Sequence, residues 1–404
     1  MDKWMGRREI LLVKGPRQSG KTTLLLHLEE KHGGDYVTLE DADMLEAFKG
    51  SPRIFAERFL RGEGRSILFL DEAQYSGEVG KTLKLLFDLF SDRLKLIATG
   101  SGSFDVKVEV GKYLVGRAVY FELLPLSFEE FLSWKAGDLH RLFLEYRAQV
   151  KDFISGRGKV EAPPAFQREF NPLLEEYIIY GGFPGIVKEG DEETKVTLLK
   201  NLVKTYVEKD VFFFLNIRET EKFKGMLRHL SLTVGSPLEF SSLMSELRMD
   251  YRTLKNYLSI LVSTYMILLI PPYRRSLVTE LKKSKKPYFT DTGLRNTLID
   301  NFLPLEDRTD KGPILENYIL NELRHLGLEA KYWRTTGKAE VDFIVESKGE
   351  AIPIEVKSTP KMGRGLLSFI KAYKPGRAII FNDKEFGSRN IDGTKVVLLP
   401  YFYI

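Results

Sequence analysis

Gly15-Pro16-Arg17-Gln18-Ser19-Gly20-Lys21-Thr22 has the form G-x-x-x-x-G-K-[ST] and stands between two apolar runs, Ile10-Leu11-Leu12-Val13 and Thr23-Leu24-Leu25-Leu26. A buried strand, a glycine loop and a helix start, in that order, are what a nucleotide phosphate needs. The glycines let the backbone wrap closely enough for its N–H groups to face phosphate oxygens. Lys21 is placed to reach the β- and γ-phosphates, and the Thr22 hydroxyl suits Mg²⁺. Thr23 follows at the helix start, so Gly15 through Thr23 are the candidate nucleotide contacts. The competing reading, a solvated Gly/Lys turn, fits the strand-then-helix setting poorly.

Working outward, residues 9–121 alternate short apolar strands with amphipathic helices, the mark of a parallel α/β sheet. Strands are expected at 10–13, 36–39, 66–70, 94–98 and 118–123. The third ends in Leu70-Asp71-Glu72. Behind a P-loop, Asp71 is expected to hold Mg²⁺ through a water and Glu72 to polarise the attacking water. The fourth runs into Thr99-Gly100-Ser101, where either hydroxyl could sense the γ-phosphate or merely shape a turn. Arg17 could touch the nucleotide or a neighbouring subunit. Arg117 is a candidate finger at a subunit interface, with a structural ion pair as its alternative.

The whole chain has 404 residues, 43% hydrophobic and 29% charged, with a formal charge of +5. That length predicts two to four domains, and the composition argues against disorder. Cysteine is absent, which excludes disulfides, thiolate zinc sites and cysteine nucleophiles. The N-terminus carries no signal-peptide pattern, and the most apolar stretch, 258–271, is too short to span a bilayer. A soluble, cytoplasmic protein without a membrane partner is expected.

From 127 to 215 the apolar period becomes helical, broken by an exposed loop at 155–164 and by Gly181-Gly182-Phe183-Pro184. Phe212-Phe213-Phe214 reads as core or interface before it reads as a base-stacking platform. Residues 221–270 read as three short helices running into a strand. Arg252, Thr253, Lys255 and Asn256 point outward from the third helix, where a helix-turn-helix places its second helix. Arg274, Arg275, Lys282, Lys283, Lys285 and Lys286 crowd the hairpin that follows. A winged helix with a basic wing suits phosphate-backbone contact better than base readout. Arg252, Lys255, Lys282, Lys283, Lys285 and Lys286 are therefore the candidate DNA contacts, and protein packing is the alternative.

From about 312 onward the expected order is helix, strand, strand, helix, strand. Glu340-Val341-Asp342 and Ile354-Glu355-Val356-Lys357 form a D-x(n)-E-x-K pattern. E-x-K alone says little, since Glu29-Glu30-Lys31 also satisfies it. Strand alternation puts Ile352, Ile354 and Val356 on one face and Glu355 and Lys357 on the other. The polar face is expected to open to a site where Asp342 and Glu355 share Mg²⁺ and Lys357 polarises a water or stabilises the phosphate. A surface strand with a cross-strand salt bridge is the plainer reading.

The ordered set Gly15–Thr23, Leu70-Asp71-Glu72-Ala73-Gln74, Thr99-Gly100-Ser101, Leu114-Val115-Gly116-Arg117, Pro125-Leu126-Ser127-Phe128-Glu129-Glu130-Phe131 and Gly181-Gly182-Phe183-Pro184 resembles prokaryotic, notably archaeal, AAA-type ATPases with a winged helix and a C-terminal restriction-endonuclease-like domain. The resemblance implies an AAA-like α/β core with a helical lid, ATP as the nucleotide and DNA as the ligand. By position it also implies that Glu316 is a fourth acid of a PD-(D/E)xK centre. The expected division is a P-loop ATPase core at 1–126, a helical lid at 127–216, a winged helix at 217–292 and the endonuclease-like domain at 293–404. The function expected is ATP hydrolysis coupled to DNA binding and processing, with room for a homo-oligomer. The rivals are an ATP-driven regulatory switch and a DNA-binding ATPase whose nuclease-like domain is inactive.

Overall fold

Ile10, Leu11, Leu12 and Val13 are all buried because the strand they form has hydrogen-bonded neighbours on both edges and a packed layer on both faces. This is β1 (Ile10–Lys14); the other strands of its sheet are β2 (Asp35–Thr38), β3 (Ser66–Asp71), β4 (Leu94–Gly100) and β5 (Ala118–Glu122). All pair in parallel, in the order β2-β3-β4-β1-β5. Ile10 and Leu12 pack with Leu68, Leu70 and Leu83 on one face, while Leu11 meets Leu25, Phe69 and Ile97 on the other. Leu25 belongs to α1 (Lys21–His32) and Leu83 to α2 (Val79–Phe90). The computed structural model describes residues 1–62, 64–100, 110–208, 211, 219–273, 284–359 and 362–404, the side chains of residues 110 and 111 excepted.

The chain falls into two compact units. The first comprises Met1–Pro125, Asn201–Thr220 and Arg252–Met266; the second comprises Leu126–Lys200, Glu221–Tyr251 and Ile267–Ile404. Compactness thus groups segments that the sequence divides into four. Within the first unit, Lys95 on β4 is buried and donates to the carbonyl oxygens of Trp4 (2.9 Å) and Arg7 (3.1 Å). Three carbonyls, Glu9 the third, compensate the ammonium for lost water. They also tie the N-terminal segment to the base of the sheet.

In the second unit, α3 (Phe128–Lys135) opens with a capping box in which Ser127 and Glu130 satisfy each other's backbone N–H. It is followed by α4 (Gly137–Ile154) and α5 (Gln167–Tyr180). The loop at 155–164 is largely exposed but pinned: Gln149 accepts from the Glu161 and Ala162 N–H groups, and the Tyr403 hydroxyl donates to the Ala162 carbonyl. Gly181 ends α5 at φ +80°. A Cβ there would lie 2.2 Å from Asp291 Oδ1. Asp291 in turn accepts from the Gly182 N–H (2.7 Å) and caps α6 (Thr292–Leu298) through the Leu294 N–H (3.0 Å). The double glycine is therefore a clamp around a buried carboxyl, which burial pushes up to about 6.

Helices Thr220–Leu232, Phe240–Leu247 and Tyr251–Ser263 precede an antiparallel hairpin of β6 (Ile267–Ile270) and β7 (Lys286–Phe289). Then come α7 (Lys311–His325) and a second sheet. Its strands are β8 (Ala330–Arg334), β9 (Glu340–Ser347), β10 (Glu350–Val356), β11 (Arg377–Asn382), β12 (Gly387–Ile391) and β13 (Thr394–Pro400), in the order β12-β13-β11-β10-β9-β8. Three strands, β8, β12 and β13, are absent from the expected order. β8 to β10 form an antiparallel meander, α8 (Arg364–Tyr373) crosses over, and β11 returns parallel to β10.

Candidate nucleotide site and acidic cluster

The first site grows from the carboxyl edge of the parallel sheet. Gly15 lies so close to β5 that a Cβ would sit 2.0 Å from the Leu123 carbonyl oxygen, and Gly20 takes φ +97° just before α1. No other residue fits these two positions without strain. Lys21 is buried and donates to the carbonyls of Pro16 (2.7 Å) and Gly15 (3.2 Å), so its ammonium curls back over the loop. Ser19 donates to the Pro16 carbonyl (3.0 Å). Arg17 and Gln18 complete the loop, with Gln18 at φ +59°, and Thr23 lies in the first turn of α1.

Because β4 lies between β1 and β3, Thr99 stands opposite Val13 on one side and next to Asp71 on the other. Asp71 is 1% exposed and collects four donors. Oδ2 accepts from Thr22 Oγ1 (2.6 Å) and from the Tyr36 hydroxyl (2.8 Å). Oδ1 accepts from Thr99 Oγ1 and from the Glu72 N–H (3.0 Å). Glu72 itself adopts a left-handed backbone, φ 52° and ψ 42°, an uncommon conformation for this residue type. Gln74 donates to its carboxylate. Burial raises the Glu72 carboxyl above its usual range, opposed by the nearby Lys21 ammonium. A cavity of about 340 Å³ lies against α1, lined by Val13, Leu24, His27, Leu28 and Phe121 among others.

Of the two hydroxyls left open by sequence, Thr99 is at the site; Ser101 lies outside the described residues, as do Phe212, Phe213 and Phe214. Arg117 forms an ion pair with Asp88 at 2.7 Å, the plainer of its two readings. Sequence reasoning missed Tyr36, whose hydroxyl comes from β2.

The second site lies in the second unit. Asp342 on β9 accepts from the Val356 N–H (2.8 Å) and from Lys357 Nζ (3.2 Å). Glu355 on β10 accepts from the Gly363 N–H (3.2 Å), while its Oε1 is buried without a hydrogen-bond partner. Glu316 on α7 accepts from the Tyr288 hydroxyl at 3.3 Å. Burial and the Asp342 charge push Glu316 up to about 8, and burial raises Glu355 too. Lys357 is raised, its carboxylate neighbours outweighing its burial.

Two expectations need correction here. The face of β10 that carries Glu355 is closed, not open: Glu355 is 0% exposed, and a Cβ on Gly363 would lie 2.8 Å from its Oε1. Lys286 is not a wing cation offered to phosphate. It is 1% exposed, pairs with Glu340 and lies over the Tyr332 ring. Lys285, Arg252 and Lys255 are exposed, whereas Lys282 and Lys283 lie outside the described residues. Among the described residues, no three acidic or histidine side chains gather in an arrangement that could hold a metal ion. No helix among them is long and apolar enough to cross a membrane.

Three segments match known family models. Residues 7–132 match an AAA domain, residues 171–305 a domain of unknown function (DUF8612), and residues 311–402 another (DUF4143). With the loop geometry, the first match identifies a P-loop AAA-type ATPase domain. An uncharacterised protein of Methanocaldococcus jannaschii is 26% identical over 418 residues, spanning 98% of this chain and 87% of the relative. An uncharacterised protein of Mycobacterium tuberculosis is 27% identical, spanning 90% and 74%. Among solved structures, the ORC1 protein of Aeropyrum pernix in complex with DNA aligns with 12% identity and a TM-score of 0.28, over 72% of this chain and 86% of that one. CDC6P of Pyrobaculum aerophilum aligns with 14% identity and a TM-score of 0.27, over 74% and 90%.

Proposed function

We propose that the chain is an Mg²⁺-dependent ATPase that acts on DNA, with a metal-dependent nuclease-like centre in its second unit. The observation that carries the first part is the Thr22–Asp71 hydrogen bond of 2.6 Å beneath the glycine loop. A hydroxyl that gives its proton to a carboxylate keeps a lone pair for a cation. Thr22, with Asp71 behind it, would hold Mg²⁺, which supplies charge neutralisation for phosphoryl transfer. Lys21 leaves its loop carbonyls for phosphate oxygens. Glu72, kept half-buried and held by Gln74, orients and deprotonates the attacking water. The 340 Å³ cavity beside α1 has the apolar walls a purine base requires.

Support for the nuclease-like centre is the orphaned Glu355 Oε1 next to Asp342, since a buried carboxylate oxygen without a donor is a ready cation ligand. Lys357 would act on the attacking water or the charged phosphate. The exposed Arg252, Lys255 and Lys285 would contact the DNA backbone. Two observations favour a second reading, an ATP-driven switch with a silent C-terminal domain: Lys357 already neutralises Asp342, and Gly363 closes over Glu355. ATP turnover and strand scission measured side by side on single-stranded, duplex and branched DNA with Mg²⁺ or Mn²⁺ decide between them. DNA-stimulated turnover with scission lost in Lys357→Ala supports the nuclease reading. Turnover indifferent to DNA, with no scission on any form, supports the switch.

A further inference from the structure

Tyr36 belongs to β2, the edge strand furthest from the glycine loop, and stands opposite Phe69 in the β2–β3 register, two residues short of the Thr38–Asp71 pair. Its ring packs with the cluster that holds Leu25 and Phe69 under α1, and its hydroxyl extends along the sheet to Asp71 Oδ2. That oxygen has one other donor in the structure, Thr22. The two hydroxyls differ in what they can do. Thr22 sits on the phosphate loop and is needed by the cation. Tyr36 comes from the sheet and has no part in the loop, so its grip on Asp71 persists whatever the loop binds.

We infer that Tyr36 is a positioning residue for the Mg²⁺ of the nucleotide site, fixing the Asp71 carboxylate so that the Thr22 lone pair and Asp71 face the same ion. The inference rests on the ATPase reading above. Mg²⁺ requires near-ideal octahedral geometry and gives up its waters reluctantly, so a carboxylate that acts through a water must be held from behind. Thr99 and the Glu72 N–H hold Oδ1; Tyr36 does the same for Oδ2. Positioning residues of this outer kind typically change metal affinity by 10–100-fold when removed.

The test uses the full chain and ATP turnover titrated with Mg²⁺ at saturating ATP. Tyr36→Phe keeps the ring and removes the donor; Tyr36→Met keeps apolar packing without an aromatic ring. Both are expected to raise the half-saturating Mg²⁺ concentration by about tenfold, with the affinity for metal-free ATP, measured by equilibrium binding, unchanged. A merely structural role would lower both affinities or neither. Wild-type turnover with an unshifted Mg²⁺ titration in the folded variants overturns the role of Tyr36 and leaves the ATPase reading standing. Wild type without Mg²⁺-dependent turnover overturns the ATPase reading itself. If Tyr36→Phe does not fold, an unshifted titration in Tyr36→Met is by itself enough to overturn the inference.

Discussion

Lys21 and Glu72 both lie at the carboxyl edge of the first sheet, yet their substitutions should be told apart by the step they impair. On the proposed ATPase reading Lys21 meets ground-state phosphate, so Lys21→Ala should weaken ATP binding in equilibrium titration. On the same reading Glu72 acts on the attacking water, so Glu72→Gln should bind ATP with wild-type affinity and slow turnover by about 10²–10⁴-fold, the usual worth of a general base. Near-normal steady-state hydrolysis in Glu72→Gln would remove it from that role. A parallel contrast separates two adjacent lysines. Lys286 is buried against Glu340, so Lys286→Ala should cost about 1–3 kcal/mol in urea unfolding, while the exposed Lys285→Ala stays within about 0.5 kcal/mol. Equal costs would mean that the Lys286–Glu340 pair contributes nothing.

The edge strands β2 and β5 were legible from the sequence too, but the plainest elements were those whose burial is symmetric. β1, β3 and β4 are flanked on both edges and covered on both faces, so they read as continuous apolar runs. β12 is an edge strand whose Gly387-Ser388-Arg389-Asn390-Ile391 shows no alternation, and its pairing with β13 is what makes it a strand. β8, Ala330-Lys331-Tyr332-Trp333-Arg334, is short and carries an irregular register between Lys331 and Trp333. The acids of the second site could be found by strand period, but their closure could not. It depends on a backbone approach between Gly363 and Glu355 that no local pattern encodes. Tyr36 was invisible for the same reason, its partner being 35 residues away. The Gly181-Gly182 break was legible as a turn and is now explained as a clamp. Gly181→Ala should lose about 2–4 kcal/mol in urea unfolding, since the residue has φ +80° and its Cβ would meet Asp291; a loss under 1 kcal/mol would show that the two helix ends move apart freely.

At the scale of the whole molecule, the second unit carries an unusual acid at its centre. Glu322 on α7 is 0% exposed and accepts from the Phe128 N–H at 2.9 Å and the Tyr177 hydroxyl at 3.3 Å. Burial outweighs these donors and the nearby Arg147, pushing the carboxyl up from 4.5 to about 7. A carboxyl raised in the folded state favours folding while it is protonated, so its contribution is complete below about pH 4.5 and is lost as pH rises through 7. Each unit is about 1.4 kcal/mol, so Glu322 makes the folded chain roughly 3 kcal/mol less stable at pH 8.5 than at pH 4.5, relative to a neutral group in its place. Glu322→Gln retains an acceptor for Phe128 and Tyr177 and removes the titration. Other ionisable groups, among them Asp291 and Lys95, contribute equally to both proteins and cancel in the difference. Unfolding free energies by urea between pH 5 and 8.5 should therefore diverge, the variant gaining on wild type as pH rises toward 7 and the difference levelling off above about pH 7. Parallel curves would mean that Glu322 is ionised when buried, held by Arg147 and its hydrogen-bond donors.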